Sequence, residues 1–139
     1  MKITFQIIFF FISFTILLAQ APNKNWQKVL EINDQYVFVD TSNIKQIENQ
    51  ISAIGLSVYK SPKSDIKSKQ ETYAVKTNVV FDTGSKKYTV IGNLYYDKQW
   101  KIIGENSAPG RSINSALFGS LIDTSKVMSA IYDKCVNYI

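Results

Sequence analysis

The sequence predicts an α+β domain: an antiparallel β-sheet of about five to six strands with a meander at its core, and a C-terminal amphipathic helix packed on one face. Two observations carry this. Beyond Asn25 the apolar residues recur mostly every second position, the period of a half-buried strand. Near the C-terminus the period changes to that of a helix.

The beginning of the chain is neither. Met1 and Lys2 precede a run from Ile3 to Leu18 whose only polar residues are Thr4, Gln6, Ser13 and Thr15, and Ala19-Gln20-Ala21 follows. One positive charge, a greasy stretch and small residues make the three-part pattern of a secretory signal. The run is long enough to cross a bilayer core of about 30 Å, but no basic stop-transfer cluster follows it. Residues 1–19 are therefore expected to be a cleaved signal peptide, with the cut after Ala19 or Ala21. The later cut would leave Pro22 at the new terminus, which suits signal peptidase poorly. Residues 20–139 then form a single domain of about 120 residues, enough to bury a core. The mature form is expected to carry no transmembrane segment and to reside in the periplasm, on the outer surface or outside the cell.

Trp26 to Ile32 and Tyr36 to Asp40 read as a hairpin around Asn33-Asp34. Asp40-Thr41-Ser42-Asn43 is turn chemistry, and the polar stretch Ile44 to Gln50 suggests one helical turn. Ser52 to Lys60 alternates, with Ile54, Leu56 and Val58 on one face. Ser61 to Gln70 reads as a lysine-rich loop. From Glu71 to Asp82, Tyr73, Val75, Thr77, Val79 and Phe81 alternate with more polar residues. Asp82-Thr83-Gly84-Ser85 is a hairpin turn in which Gly84 is free to take positive φ. Lys86 to Asp97 resumes as a strand, with Tyr88, Val90, Leu94 and Tyr96 on one side. Asp97-Lys98-Gln99 turns again into a short strand around Trp100 to Ile103. After Ala108-Pro109-Gly110, a short helix is expected within Ile113 to Ile122. Asp123 or Thr124 then caps a longer one from Ser125 to about Tyr138, whose stripe is Val127, Met128, Ile131, Cys135 and Tyr138.

Composition excludes several function classes. There is no His, so the commonest general base, the commonest zinc ligand and every His-dependent catalytic dyad are absent. With one Cys, no disulfide within the chain and no thiolate metal cluster is available. No cofactor or metal is expected. Removing Lys2 leaves fifteen cations against eleven anions, and Arg111 is the only Arg. Nucleic-acid binding usually relies on Arg forks, so mild basicity points to solubility or to weak attraction for anionic surfaces. Asp34, Asp40, Asp82, Asp97 and Asp123 all fall at expected turns or caps, which explains each without catalysis. No enzyme activity is expected.

Three features remain as candidates. Lys60, Lys63, Lys67 and Lys69 could grip an acidic partner, or could merely solvate a loop and guard an edge strand. Cys135 could bridge two copies into a homodimer or act as a reactive thiol; its place on the helix stripe suits a small buried hydrophobe. Tyr88, Tyr95, Tyr96 and Trp100 could line a sugar-binding surface, although strand aromatics more often form core or cross-strand pairs.

The order of several elements resembles the surface-adhesin protein E family of Gram-negative bacteria. The matching features are Trp26, Tyr36-Val37-Phe38-Val39-Asp40 with Ser42-Asn43-Ile44, then Phe81-Asp82, Lys87-Tyr88-Thr89-Val90, Tyr95-Tyr96, Trp100 and a helix bearing Cys135. They span about Trp26 to Cys135. The resemblance implies a small exported binding domain, in some pathogens displayed on the surface and engaging host matrix or serum proteins. It also implies a Cys just after the acidic residue matched here to Asp82, bonded to the C-terminal Cys. This chain has Thr83 there, so a staple worth about 2–4 kcal/mol is lost while Cys135 remains. The expected partners are thus an extracellular protein or an anionic polymer. The alternative is a periplasmic envelope protein, structural or for maintenance, with no host ligand.

Overall fold

The computed structural model describes residues 25–64, 70–107 and 119–139. The expected signal peptide, Lys67, Lys69 and most of the helix expected within Ile113 to Ile122 lie outside them.

The described residues form an antiparallel sheet and one α-helix, an α+β fold. The strands are β1 (Trp26–Ile32), β2 (Gln35–Asp40), β3 (Lys45–Ile47), β4 (Gln50–Ser64), β5 (Glu71–Asp82), β6 (Lys87–Tyr96), β7 (Ile102–Ser107) and β8 (Ser120–Leu121), followed by α1 (Lys126–Tyr138). The order across the sheet is β1-β2-β4-β5-β6-β7, with β3 flanking β4 and β8 flanking β6. The meander β5-β6-β7 and the first hairpin stand as expected.

The helix covers one face. Val37 and Val39 of β2, Ile51 and Ala53 of β4, and Val79 and Phe81 of β5 meet Ile131 and Cys135 of α1, with Ile122 beside them. Gly55 lets the helix approach: a Cβ there would lie 2.8 Å from the Ile131 Cδ1 methyl. On the opposite face Leu56, Ala74 and Val80 are also buried, so the central strands are apolar on both sides.

Several expectations need correction. Ile44 to Gln50 makes no helical turn; a 3-10 turn sits earlier, at Thr41–Asn43, and β3 then pairs with β4 from Lys45↔Ser52 to Ile47↔Gln50. Glu48, at φ 53°, makes the tight reversal between them. The first part of the lysine-rich loop is strand: β4 runs on to Ser64, with Lys63 opposite Thr72.

In β6, Tyr88 and Val90 do not share a side with Leu94 and Tyr96. Asn78 pairs with Gly92 and Val79 with Val90, leaving Ile91 as an extra residue. Such a bulge inverts the alternation beyond it. Tyr88 and Val90 therefore face the helix side with Phe81 and Val79, while Leu94 and Tyr96 oppose Lys76 and Ala74 on the other.

Lys86, not Gly84, occupies the left-handed position of the β5–β6 turn, at φ 56°. Asp82 sets that turn by accepting the Gly84 and Ser85 N–H groups at 2.8 and 3.1 Å. Ser120–Leu121 is strand rather than helix and leads into a 3-10 turn at Ile122–Thr124. The cap of α1 is Ser125, whose Oγ accepts the Met128 N–H at 3.2 Å; Asp123 and Thr124 belong to the preceding turn. Tyr138 is 53 % exposed and leaves the buried stripe, and Tyr132 joins it by packing against Phe81 at 5.3 Å between ring centroids.

Candidate functional site

Lys60 and Lys63 lie near the end of β4 beside the β1–β2 hairpin. Lys60 donates a backbone N–H to the Asp34 carbonyl at 2.9 Å, which aligns this end of β4 with the hairpin turn. The Lys60 ammonium reaches Glu31 Oε1 at 3.0 Å and stands 4.8 Å from the Tyr36 ring centre. Lys28 approaches the same pair, 3.3 Å from Glu31 Oε2 and 5.6 Å from the Tyr36 ring. Lys63 pairs with Asp34 Oδ2 at 2.9 Å and lies 5.5 Å from the Tyr59 ring. The result is a surface in which three ammonium groups are held over two tyrosine rings by two carboxylates.

The electrostatics follow from these contacts. The Lys60 hydrogen bond, then that of Lys28, holds the Glu31 carboxyl below its ordinary pKa. Lys63 does the same for Asp34, and Asp34 in turn raises the Lys63 ammonium. Burial pushes the Tyr59 hydroxyl up, keeping it a neutral hydrogen-bonding group. These ion pairs are exposed and screened by solvent, and contribute little to stability. An incoming carboxylate or sulfate could exchange for Glu31 or Asp34 at little cost.

The sequence reading placed four lysines in a loop. The structure instead turns two of them toward the first hairpin and gives them carboxylate partners. Lys28, Tyr36 and Tyr59 complete the surface and were missed, because nothing in the spacing reveals that β1, β2 and the far end of β4 converge.

The other candidates separate. Cys135 is fully buried in the core, and burial pushes its thiol up to about 11. A thiolate is disfavoured there, and a bridge to a second copy would require opening the helix. The Thr83 position serves as a clip to the β3–β4 turn: its N–H and its hydroxyl donate to the Asn49 carbonyl at 2.8 and 3.1 Å.

The aspartates do turn work. Asp40 accepts from Ser42 N–H, Ser42 Oγ and Asn43 Nδ2. Burial raises its carboxyl, but those hydrogen bonds outweigh it and the net direction is down. Asp97 Oδ1 accepts the Gln99 and Lys101 N–H groups at 2.9 Å each. Among the described residues no three His, Cys, Asp or Glu side chains converge to hold a metal ion.

The aromatic residues divide as well. Tyr88 packs toward Phe81 at 6.3 Å, and Tyr95 lies against Gly104. Trp100 is in the β6–β7 turn rather than in a strand, with its ring 5.8 Å from those of both Tyr73 and Tyr96. Its backbone is left-handed, at φ 61°. A turn without glycine offers no signal of that in the sequence.

Comparison with known proteins agrees with the architecture. The crystal structure of protein E from non-typeable Haemophilus influenzae superposes with a TM-score of 0.51, at 11% sequence identity, covering 86% of this chain and 80% of that one. At that identity the likeness is one of fold. No curated protein matches significantly in sequence. The family model for surface-adhesin protein E matches residues 26–128, most of the chain. The chain belongs to the surface-adhesin protein E family.

Proposed function

We propose that this protein is an exported, non-enzymatic binding protein that engages an extracellular protein or anionic polymer through the lysine–tyrosine surface at the end of β4. The observation that carries this reading is the placement of Lys28, Lys60 and Lys63 over Tyr36 and Tyr59 in exposed, exchangeable ion pairs. Cations over aromatic rings recognise carboxylates and sulfates while keeping apolar contact area for a protein surface. Family membership supports a surface adhesin. The N-terminal pattern of residues 1–19 supports export, and residues 20–139 act as one domain.

Replacing Lys60, Lys63, Lys67 and Lys69 by Ser is expected to weaken binding to immobilised heparin and to basement-membrane extract, and to flatten its salt dependence. Unchanged binding at low salt would exclude the lysine surface. Protease shaving of intact cells decides the compartment. Loss of the protein from intact cells supports surface display. Protection until the outer membrane is opened, with none in the medium, replaces the adhesin reading by an envelope role without a host ligand.

A further inference from the structure

A second surface at the same end of the sheet has different chemistry. An open cleft of about 390 Å3 is lined by Pro62 of β4, Gln70 just before β5, Glu71 at its start, Asp97, Lys98 and Gln99 of the β6–β7 turn, and Ile103 of β7. Its size falls within the range of small-molecule sites, about 300–1,000 Å3. Lys60 and Lys63, flanking Pro62, are drawn away from it toward the first hairpin by Glu31 and Asp34.

Beside the cleft is the ring cluster of Tyr73, Tyr96 and Trp100. Tyr73 is two residues beyond Glu71, on the same face of β5, and Trp100 follows Gln99 directly. A left-handed backbone costs an ordinary L residue about 1–2 kcal/mol, and glycine would occupy this position freely. The chain places tryptophan there. Edge and tilted contacts with two tyrosines, about 0.5–1.5 kcal/mol each, offset the strain. The consequence is a partly buried indole fixed directly after Gln99 of the cleft.

We propose that this cleft binds a neutral saccharide of one or two rings. A pyranose presents hydroxyls that both donate and accept, and the cleft offers carboxylate acceptors, an ammonium donor and the Gln99 carboxamide, which does both. Its apolar C–H face needs apolar side chains to lie on, and Pro62 and Ile103 of the lining provide these, with Trp100 following Gln99 directly in the chain. Two carboxylates against one ammonium disfavour an anionic ligand, and the cost of desolvating these charged groups disfavours a wholly apolar one. The inference is independent of the lysine surface.

The test uses Trp26→Phe protein purified after export, in which Trp100 is the only indole. Lactose, maltose and diacetylchitobiose are titrated while Trp100 emission is followed, with sialyllactose as the acidic control. At least one neutral disaccharide is expected to give a saturable change. The Glu71→Ala/Gln99→Ala double variant should weaken it about tenfold or more, with an unchanged thermal midpoint. The four-lysine Ser variant should respond like the parent. No saturable change with any neutral sugar, an equal response in the double variant, or a response to sialyllactose alone would overturn the proposal.

Discussion

Cys135 and Gly55 are governed by the same close contact between helix and sheet. The thiol is raised to about 11 by burial, against 9.0 for an ordinary cysteine. Its contribution to stability is full below pH 9, because both states are then protonated. Between pH 9 and 11 only the unfolded thiol ionises, so stability falls with pH by at most about 1.4 kcal/mol per pH unit. Urea titrations across this window should show a steeper decline in the parent than in Cys135→Ala. A thiol reagent at pH 8 should react at the rate of unfolding rather than at that of a free thiol. Gly55 has no room for a larger side chain, since its Cβ position lies 2.8 Å from Ile131. Gly55→Val is expected to cost about 1–3 kcal/mol by forcing Ile131 out of its packed rotamer. An unchanged urea midpoint would mean that the helix shifts freely.

At the scale of elements, α1 depends on one cap and one anchor. Ser125 supplies the side-chain acceptor for the Met128 N–H, and Ser125→Ala should lower stability by about 1 kcal/mol. Asp123→Ala should change it far less, which separates the observed cap from the one expected from sequence. Ile131 is the largest fully buried residue on the helix, and Ile131→Ala is expected to cost about 2–5 kcal/mol. The bulge at Ile91 performs the corresponding task in the sheet. It lets β6 give Tyr88 and Val90 to the helix-covered core and Leu94 and Tyr96 to the opposite face. Urea denaturation of each variant measures all three helix effects on one scale.

For the whole molecule, the ion pairs at the sheet end set a pH response at the acid limit. Glu31 and Asp34 have folded pKa values below their ordinary ones, so their stabilisation is present at neutral pH and lost as pH falls through those folded values. Both groups are exposed and the effect is small. It should shrink further in salt, and the fall in thermal midpoint from pH 7 to pH 3 should be smaller in Lys60→Ser/Lys63→Ser. An equal fall would assign acid sensitivity to the turn carboxylates, such as Asp40, instead.

The sequence by itself determined what depends on local pattern. Alternation identified the strands from Glu71 to Tyr96, because a half-buried strand writes its two faces into neighbouring residues. The turn aspartates were legible because each hydrogen-bonds within a few residues of itself. Val127, Met128, Ile131 and Cys135 announced the buried side of α1. Only the tertiary structure decided what depends on register and convergence. One extra residue at Ile91 exchanges the faces of half a strand without altering its composition. Lys28, Tyr36, Lys60 and Lys63 meet because β1, β2 and the end of β4 pair across about thirty residues of sequence. The Trp100 strain and the cleft beside it likewise arise from a turn and strands that become neighbours only in the folded sheet.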